Sequence, residues 1–291
     1  MHARGRYRTP SHGIIRGVTT SLEEAEPALH YEEHGSGDPV VLIHGFGASL
    51  YSWRFLAPAL AQQHRVVCVD LQGFGQSPKP ADGKYSIHDH VGMVSNFIRA
   101  RDLSGATLIG HSFGGGVALL LALRLAGEAT YAPKRLILID NVAYRQHLPL
   151  FVRVLQSRTG ALVVRALPAK LLARHVLELA YFDDDKIPED AVAEYARPLD
   201  AQGGRNALAR TARGIIPADI DDLTPRYRDL RIPTLILWGR QDEIVPIAIG
   251  ERLHRAIEHS RFFVVERCGH IPHEECPGEA IPAVLEFMGG A

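Results

Sequence analysis

Cysteine is scarce in this chain: its 291 residues hold three, Cys68, Cys268 and Cys276. So few, so far apart and odd in number, they do not make a disulfide framework. Free thiols and a reducing, cytoplasmic compartment are therefore expected. No apolar run is long enough to span a bilayer. Neither sign of charge prevails, since the formal net charge is -1. No basic stripe dominates, so the charge balance gives no sign of a nucleic-acid or membrane-surface partner. Met1 to Thr20 contains no Asp or Glu and several arginines, and lacks the apolar stretch of a secretory signal. A transit peptide is one reading of that composition. A loosely ordered tail over residues 1–26 is the one adopted.

What is present is apolar residue in quantity, 46% of the chain, enough for the core of one large domain or of a core with an insertion. From residue 27 strands and helices alternate. Leu29 to Glu33 reads as an edge strand. Val40 to Ile43, Arg65 to Asp70, Ala106 to Ile109, Arg135 to Asp140, Thr234 to Gly239 and Arg261 to Glu266 are short, almost wholly apolar runs, as in parallel strands buried on both faces. Ser52 to Gln63, Ser86 to Arg99, Val245 to Ile257 and Glu279 to Met288 read as helices, with Ser86 as N-cap and Asp89 in the first turn of the second. Residues 145–228 break the rhythm. They hold no strand-like run, only amphipathic helical stretches such as Leu148 to Leu155, Leu162 to Leu179 and Asp190 to Arg197, punctuated by Pro188, Pro198 and Gly203-Gly204. The pattern implies a mostly parallel sheet with helices on both faces, a core of residues 27–144 and 229–291, and a helical cap at 145–228.

The richest local signal is Gly110-His111-Ser112-Phe113-Gly114, placed where a strand runs straight into a glycine-rich helix. That context makes Ser112 a candidate nucleophile on a strained strand-to-helix turn, beside the positive end of a helix. A serine needs a base, the base needs an orienting acid, and a developing oxyanion needs donors. Open parallel sheets gather such groups beyond the carboxyl ends of their strands. His270, in Cys268-Gly269-His270 after the last strand, is the expected base. His273 reads instead as the first turn of the next helix. Asp242, after the strand ending at Gly239, is the expected acid and Asp140 its rival, whose alternative reading is a solvent-exposed turn or cap. The backbone N–H groups of Phe46 and Phe113 are the expected oxyanion donors. Trp53, Phe151 and Ile271 are candidates for the substrate pocket, Trp53 equally for packing. Pairs such as His88 with His90 or His270 with His273 do not make a metal site, and no metal or cofactor is expected.

These residues resemble the α/β-hydrolase-fold serine esterases that bear a lid. The resemblance rests on His44-Gly45-Phe46-Gly47, Asp70 with Gly73-Phe74-Gly75-Gln76-Ser77, Gly110 to Gly115, Asp242 and Gly269-His270, and it covers roughly residues 28 to 288. It implies an eight-stranded sheet with a helical cap inserted after the sixth strand. Dehalogenases and epoxide hydrolases of this fold carry aspartate where Ser112 stands. Hydrolases that cleave carbon–carbon bonds of ring-cleavage diketo acids share the serine and the lid. They usually place tryptophan after the histidine, here Ile271, and a carboxylate-binding arginine in the lid, for which Arg153, Arg174 and Arg197 are on offer. Cofactor-free haloperoxidases usually have methionine where Phe113 stands, and perhydrolysis is left as a side activity. The lid's apolar face, from Leu148, Phe151, Leu155, Leu171, Leu172 and Leu179, favours hydrophobic short- to medium-chain esters. The expected partners are such an ester and water.

Overall fold

The structure, a computed structural model, describes residues 29–289. The expected tail over 1–26 falls outside them. Seven strands form one sheet: β1 (Tyr31–His34), β2 (Pro39–Ile43), β3 (Arg65–Val69), β4 (Thr107–His111), β5 (Arg135–Ile139), β6 (Thr234–Gly239) and β7 (Ser260–Val265). Their order across the sheet is β1-β3-β2-β4-β5-β6-β7, with β1 antiparallel to β3 and every other pairing parallel.

The apolar runs are continuous because both faces of the inner strands are covered. Val41, Ile43, Leu108, Leu136 and Leu138 point into one core. Their neighbours Val40, Leu42, Ile109, Ile137 and Ile139 point into the other. Helices α1 (Leu56–Leu60), α2 (Ile87–Ala100) and α3 (Ser112–Leu125) follow the early strands. The start of α2 is a reciprocal capping box: the Ser86 hydroxyl receives the Asp89 N–H, and the Asp89 carboxylate receives the Ser86 N–H.

Between β5 and β6 lie α4 (Leu150–Gln156), α5 (Arg158–Ala166), α6 (Ala169–Ala180), α7 (Glu189–Asp200), α8 (Gly204–Arg213) and α9 (Ile220–Leu223), with two short 3-10 turns. Helices α10 (Ile247–Ala256), α11 (Pro272–Glu275) and α12 (Pro277–Gly289) complete the chain.

Three expectations shift. The described sheet has seven strands, not eight, so the helical stretch follows the fifth described strand rather than the sixth. The expected helix from Ser52 to Gln63 is a 3-10 turn, Leu50–Trp53, followed by the short α1; Pro58 is tolerated only near a helix start. The expected helix from Leu162 to Leu179 is two helices, because Pro168 has no N–H to donate and drives Leu167 to an extended ψ of 146°.

The order β3-β2-β4 marks the point where the chain reverses its direction of travel across the sheet. A crevice opens there at the strands' carboxyl ends. The loop after β2 carries Gly45 and Phe46, and the turn after β4 carries Ser112.

Candidate active site

Strand β4 ends at His111 and α3 begins at Ser112, with no residue between. Ser112 takes the whole change of direction, at φ +52°, in the left-handed region that L residues seldom adopt. The glycines on either side permit it. A Cβ on Gly114 would overlap the carbonyls of Ile43 and His44, and one on Gly110 would overlap the backbone of Gly114 and Gly115. At the helix start, the first-turn N–H groups have no partner inside the helix, so the N–H of Phe113 is free for an oxyanion. The ring of Phe113 goes the other way, fully buried in the core.

The loop with Phe46 is tied down from below. His44 Nδ1 donates to the Gly45 carbonyl at 2.8 Å, so its Nε2 accepts the Leu71 N–H at 3.0 Å. Burial pushes the pKa of this ring down and favours that neutral tautomer. Asp70 accepts the N–H groups of Leu50 and Gln76, both at 2.8 Å, and pairs with His30 Nδ1. One carboxylate thus joins the loops after β2 and β3.

His270 stands beyond β7. Its Nδ1–H donates to Asp242 Oδ2 at 2.7 Å, which leaves Nε2 as the acceptor. Asp242 is itself oriented, because its Oδ1 accepts the N–H groups of Ile244 at 2.8 Å and Val245 at 2.9 Å. The backbone around His270 is held by groups that the sequence pattern does not reveal. The His270 N–H donates to the carbonyl of Ala180, at the end of α6, at 2.7 Å. Its carbonyl accepts from His111 Nε2 at 2.9 Å. Glu275 accepts the N–H of Gly269 at 2.7 Å and the N–H groups of Phe182 and Asp183, each at 3.1 Å. That carboxylate fastens the histidine loop to the inserted helices. Its only sequence signal was an acid five residues after His270.

Asp140, at the end of β5, is completely buried, not exposed as its alternative reading had it. Its φ is +42°, a second left-handed non-glycine residue on the strand next to that of Ser112. Oδ1 accepts the Gly239 N–H at 2.9 Å, and Oδ2 has no donor among the described residues. Asp140, Asp242 and His270 each place a side-chain atom within 4.8 Å of the other two. Burial first, and the charge of Asp242 second, hold the Asp140 carboxyl well above the usual carboxylate range. A protonated Oδ2 turned to Asp242 is a donor, not an acceptor without a partner.

Ser112 and His270 open on a common cavity of about 70 Å³. Gly45 and Phe46 line it from the β2 loop, Phe151 and Val152 from α4, Val176 and Leu177 from α6, Tyr195 from α7, and Ile244 and Ile271 from the core loops. Of the three residues the sequence offered for a pocket, Phe151 and Ile271 line this cavity. Trp53 does not line the cavity. The 3-10 turn points its indole into the core on the other face of the sheet, fully buried and 4.7 Å from the ring of His273. Gln146, which the sequence did not single out, brings to the lining a buried Oε1 with no hydrogen-bond partner among the described residues. No lysine, arginine, aspartate or glutamate lines the cavity. Of the lid arginines, Arg174 pairs with Glu189 and Arg197 with Glu194, and Arg153 is exposed to solvent.

Two clusters have spacing a metal could use: Asp140 with Asp242 and His270, and Cys268 with Glu275 and Cys276. Several of their donors are already engaged. His270 Nδ1 holds Asp242, Glu275 holds three N–H groups, and burial raises both thiols away from the thiolate a metal needs.

The sequence matches the profile described as "Alpha/beta hydrolase family" over residues 40–283. Among curated proteins it is similar to 2-hydroxy-6-oxo-2,4-heptadienoate hydrolase of Pseudomonas putida, 28% identical over 94% of each chain. Among solved structures it resembles a meta-cleavage product hydrolase of Pseudomonas fluorescens, 26% identical, TM-score 0.76, covering 90% of this chain and 94% of that one. It also resembles a thermophilic esterase of Thermogutta terrifontis, 25% identical, TM-score 0.77, covering 95% and 98%.

Proposed function

The chain belongs to the alpha/beta hydrolase family, and on that premise we propose that it is a serine hydrolase of carboxylic esters with hydrophobic acyl groups of short to medium length. One observation carries the choice of substrate. The cavity beside Ser112 is lined mostly by apolar groups and holds no lysine or arginine to receive a substrate carboxylate. The similar heptadienoate hydrolase acts on an acid by its name, and a buried carboxylate without a counter-charge is strongly disfavoured.

In this reading His270 Nε2 takes the proton of Ser112 as its oxygen attacks the ester carbonyl. Asp242 holds the ring and balances the imidazolium that forms. The N–H groups of Phe46 and Phe113 receive the oxyanion. His270 returns the proton to the leaving alcohol and then activates the water that releases the acyl group. Residues 145–228 act as the cap that closes the cavity. The small volume supports short acyl chains within the proposed range. A cytoplasmic location belongs to the same proposal and rests on three thiols that the fold leaves unpaired.

Carbon–carbon hydrolysis is the second reading, favoured by the similar curated and solved proteins. Purified enzyme and Ser112→Ala, assayed on p-nitrophenyl esters from acetate to palmitate and on a ring-cleavage diketo acid, separate the two. Turnover of short and medium esters, falling by about 10³-fold or more in Ser112→Ala, is expected. Turnover of the diketo acid alone would replace the ester reading with the second.

A further inference from the structure

The chain-wide charge balance conceals a local segregation. Residues 141–177 hold five arginines and one lysine and no aspartate or glutamate. Arg145 pairs with Asp221 and Arg174 with Glu189. Arg153, Arg158, Arg165 and Lys170 are all exposed, and none of the ion pairs among the described residues includes them. The same stretch carries the four most exposed large hydrophobic residues of the described chain: Leu150 at 72%, Leu162 at 63%, Val163 at 60% and Leu171 at 56%. Helix α5, at the centre, has no buried residue. Arg158, Leu162 and Arg165 recur on it at helical spacing, so cation and apolar group share one face.

We propose that helices α4 to α6 form a docking surface for membranes rich in anionic lipid. An apolar side chain flanked by cations suits the boundary between headgroups and acyl chains, where leucine and valine leave water while arginine and lysine stay among the phosphates. A second copy of this chain fits poorly. A symmetric contact would bring four unpaired cations of one copy against the same four of the other. The proposal does not depend on which bond the enzyme cleaves. It gives a physical reason for the exposed face of helices that wall the cavity from inside through Phe151, Val152, Val176 and Leu177.

The test is co-sedimentation of the full chain with vesicles of phosphatidylcholine alone, and of phosphatidylcholine with one part in four of phosphatidylglycerol. Binding to the anionic vesicles is expected to be about tenfold tighter or more, and to weaken as salt rises. Arg158→Glu with Arg165→Glu should abolish that preference. Leu162→Asp with Val163→Asp should weaken binding about tenfold or more. An unchanged melting temperature, with unchanged turnover of whichever substrate the parent hydrolyses, ester or diketo acid, shows that both variants fold, since none of the four residues lines the cavity. Equal or absent binding to both vesicles would overturn the proposal, as would binding that both variants retain. A concentration-dependent dimer abolished by Leu162→Asp, without vesicle binding, would assign the face to a second copy instead.

Discussion

Asp140 and Asp242 sit at the carboxyl ends of adjacent strands, on the same side of the sheet and within reach of the same histidine, yet their surroundings differ. Asp242 lies in a loop that wraps it. It accepts two backbone N–H groups and the His270 Nδ1–H. Asp140 comes directly off its strand in a left-handed conformation, and of its two oxygens only Oδ1 receives a donor. Donors hold charge on a carboxylate, and burial without them removes it. Two residues of one type therefore meet different surroundings because one strand ends in a loop with spare N–H groups and the other does not, and burial, with the charge of Asp242 beside it, holds the Asp140 carboxyl well above the usual carboxylate range.

The largest effect that can break this comparison is expected at Asp242. Asp242→Asn leaves the shape intact but removes the acceptor that sets the His270 tautomer, and kcat should fall by about 10²- to 10⁴-fold. Retained activity, with Asp140→Asn severe instead, would reverse the roles of the two aspartates.

A middle effect is expected at Glu275, which sharpens the comparison because it is a third buried carboxylate, rich in donors like Asp242 but out of contact with the histidine ring. Glu275→Gln keeps the volume and one acceptor oxygen, yet its amide NH2 must face either the N–H of Gly269 or those of Phe182 and Asp183, which the two carboxylate oxygens now accept separately. The His270 loop should then loosen. Displacing a catalytic group by about 1 Å costs on the order of 10²-fold, so kcat should drop roughly 10- to 100-fold with KM less affected. Glu275→Asp should restore part of the loss if the carboxylate acts as a clamp. A change in melting temperature with no change in kcat would leave it as packing.

These carboxyl groups also mark where the sequence stops being legible. The seven strands could be read because parallel strands covered on both faces become continuous apolar runs, a property each strand carries by itself. Ser112 could be read because its strained turn demands glycine at Gly110 and Gly114, close in sequence. His270 and Asp242 follow from topology, since groups beyond the carboxyl ends of neighbouring strands must meet. Glu275 and Asp140 follow from none of these. The value of Glu275 lies in N–H groups of Phe182 and Asp183, 93 and 92 residues away. The burial of Asp140 depends on how the β6 loop closes over it. Trp53 was ambiguous because the orientation of a 3-10 turn is set by tertiary packing, whereas the break at Pro168 was written in the sequence and obscured by the apolar periodicity on either side.

The smallest effect on activity, and the sharpest test of the comparison, is expected at Asp140. Asn reproduces the neutral acid, with an amide to donate towards Asp242 and an oxygen to accept from Gly239, so Asp140→Asn should hold kcat/KM within about threefold. Stability should respond differently. The folded chain keeps a proton on Asp140 that the unfolded chain releases above about pH 4. From there upward the folded state binds more protons than the unfolded one, and its stability falls with pH by up to about 1.4 kcal/mol per unit until the folded carboxyl itself ionises. The stability linked to this group is thus fully present below about pH 4 and is lost as pH rises. Asp140→Asn has no such proton to lose, so its urea midpoint relative to the parent should climb between pH 5 and pH 7. A difference that stays constant over that range would mean that Asp140 is ionised in the fold, and the contrast with Asp242 would fail at its root.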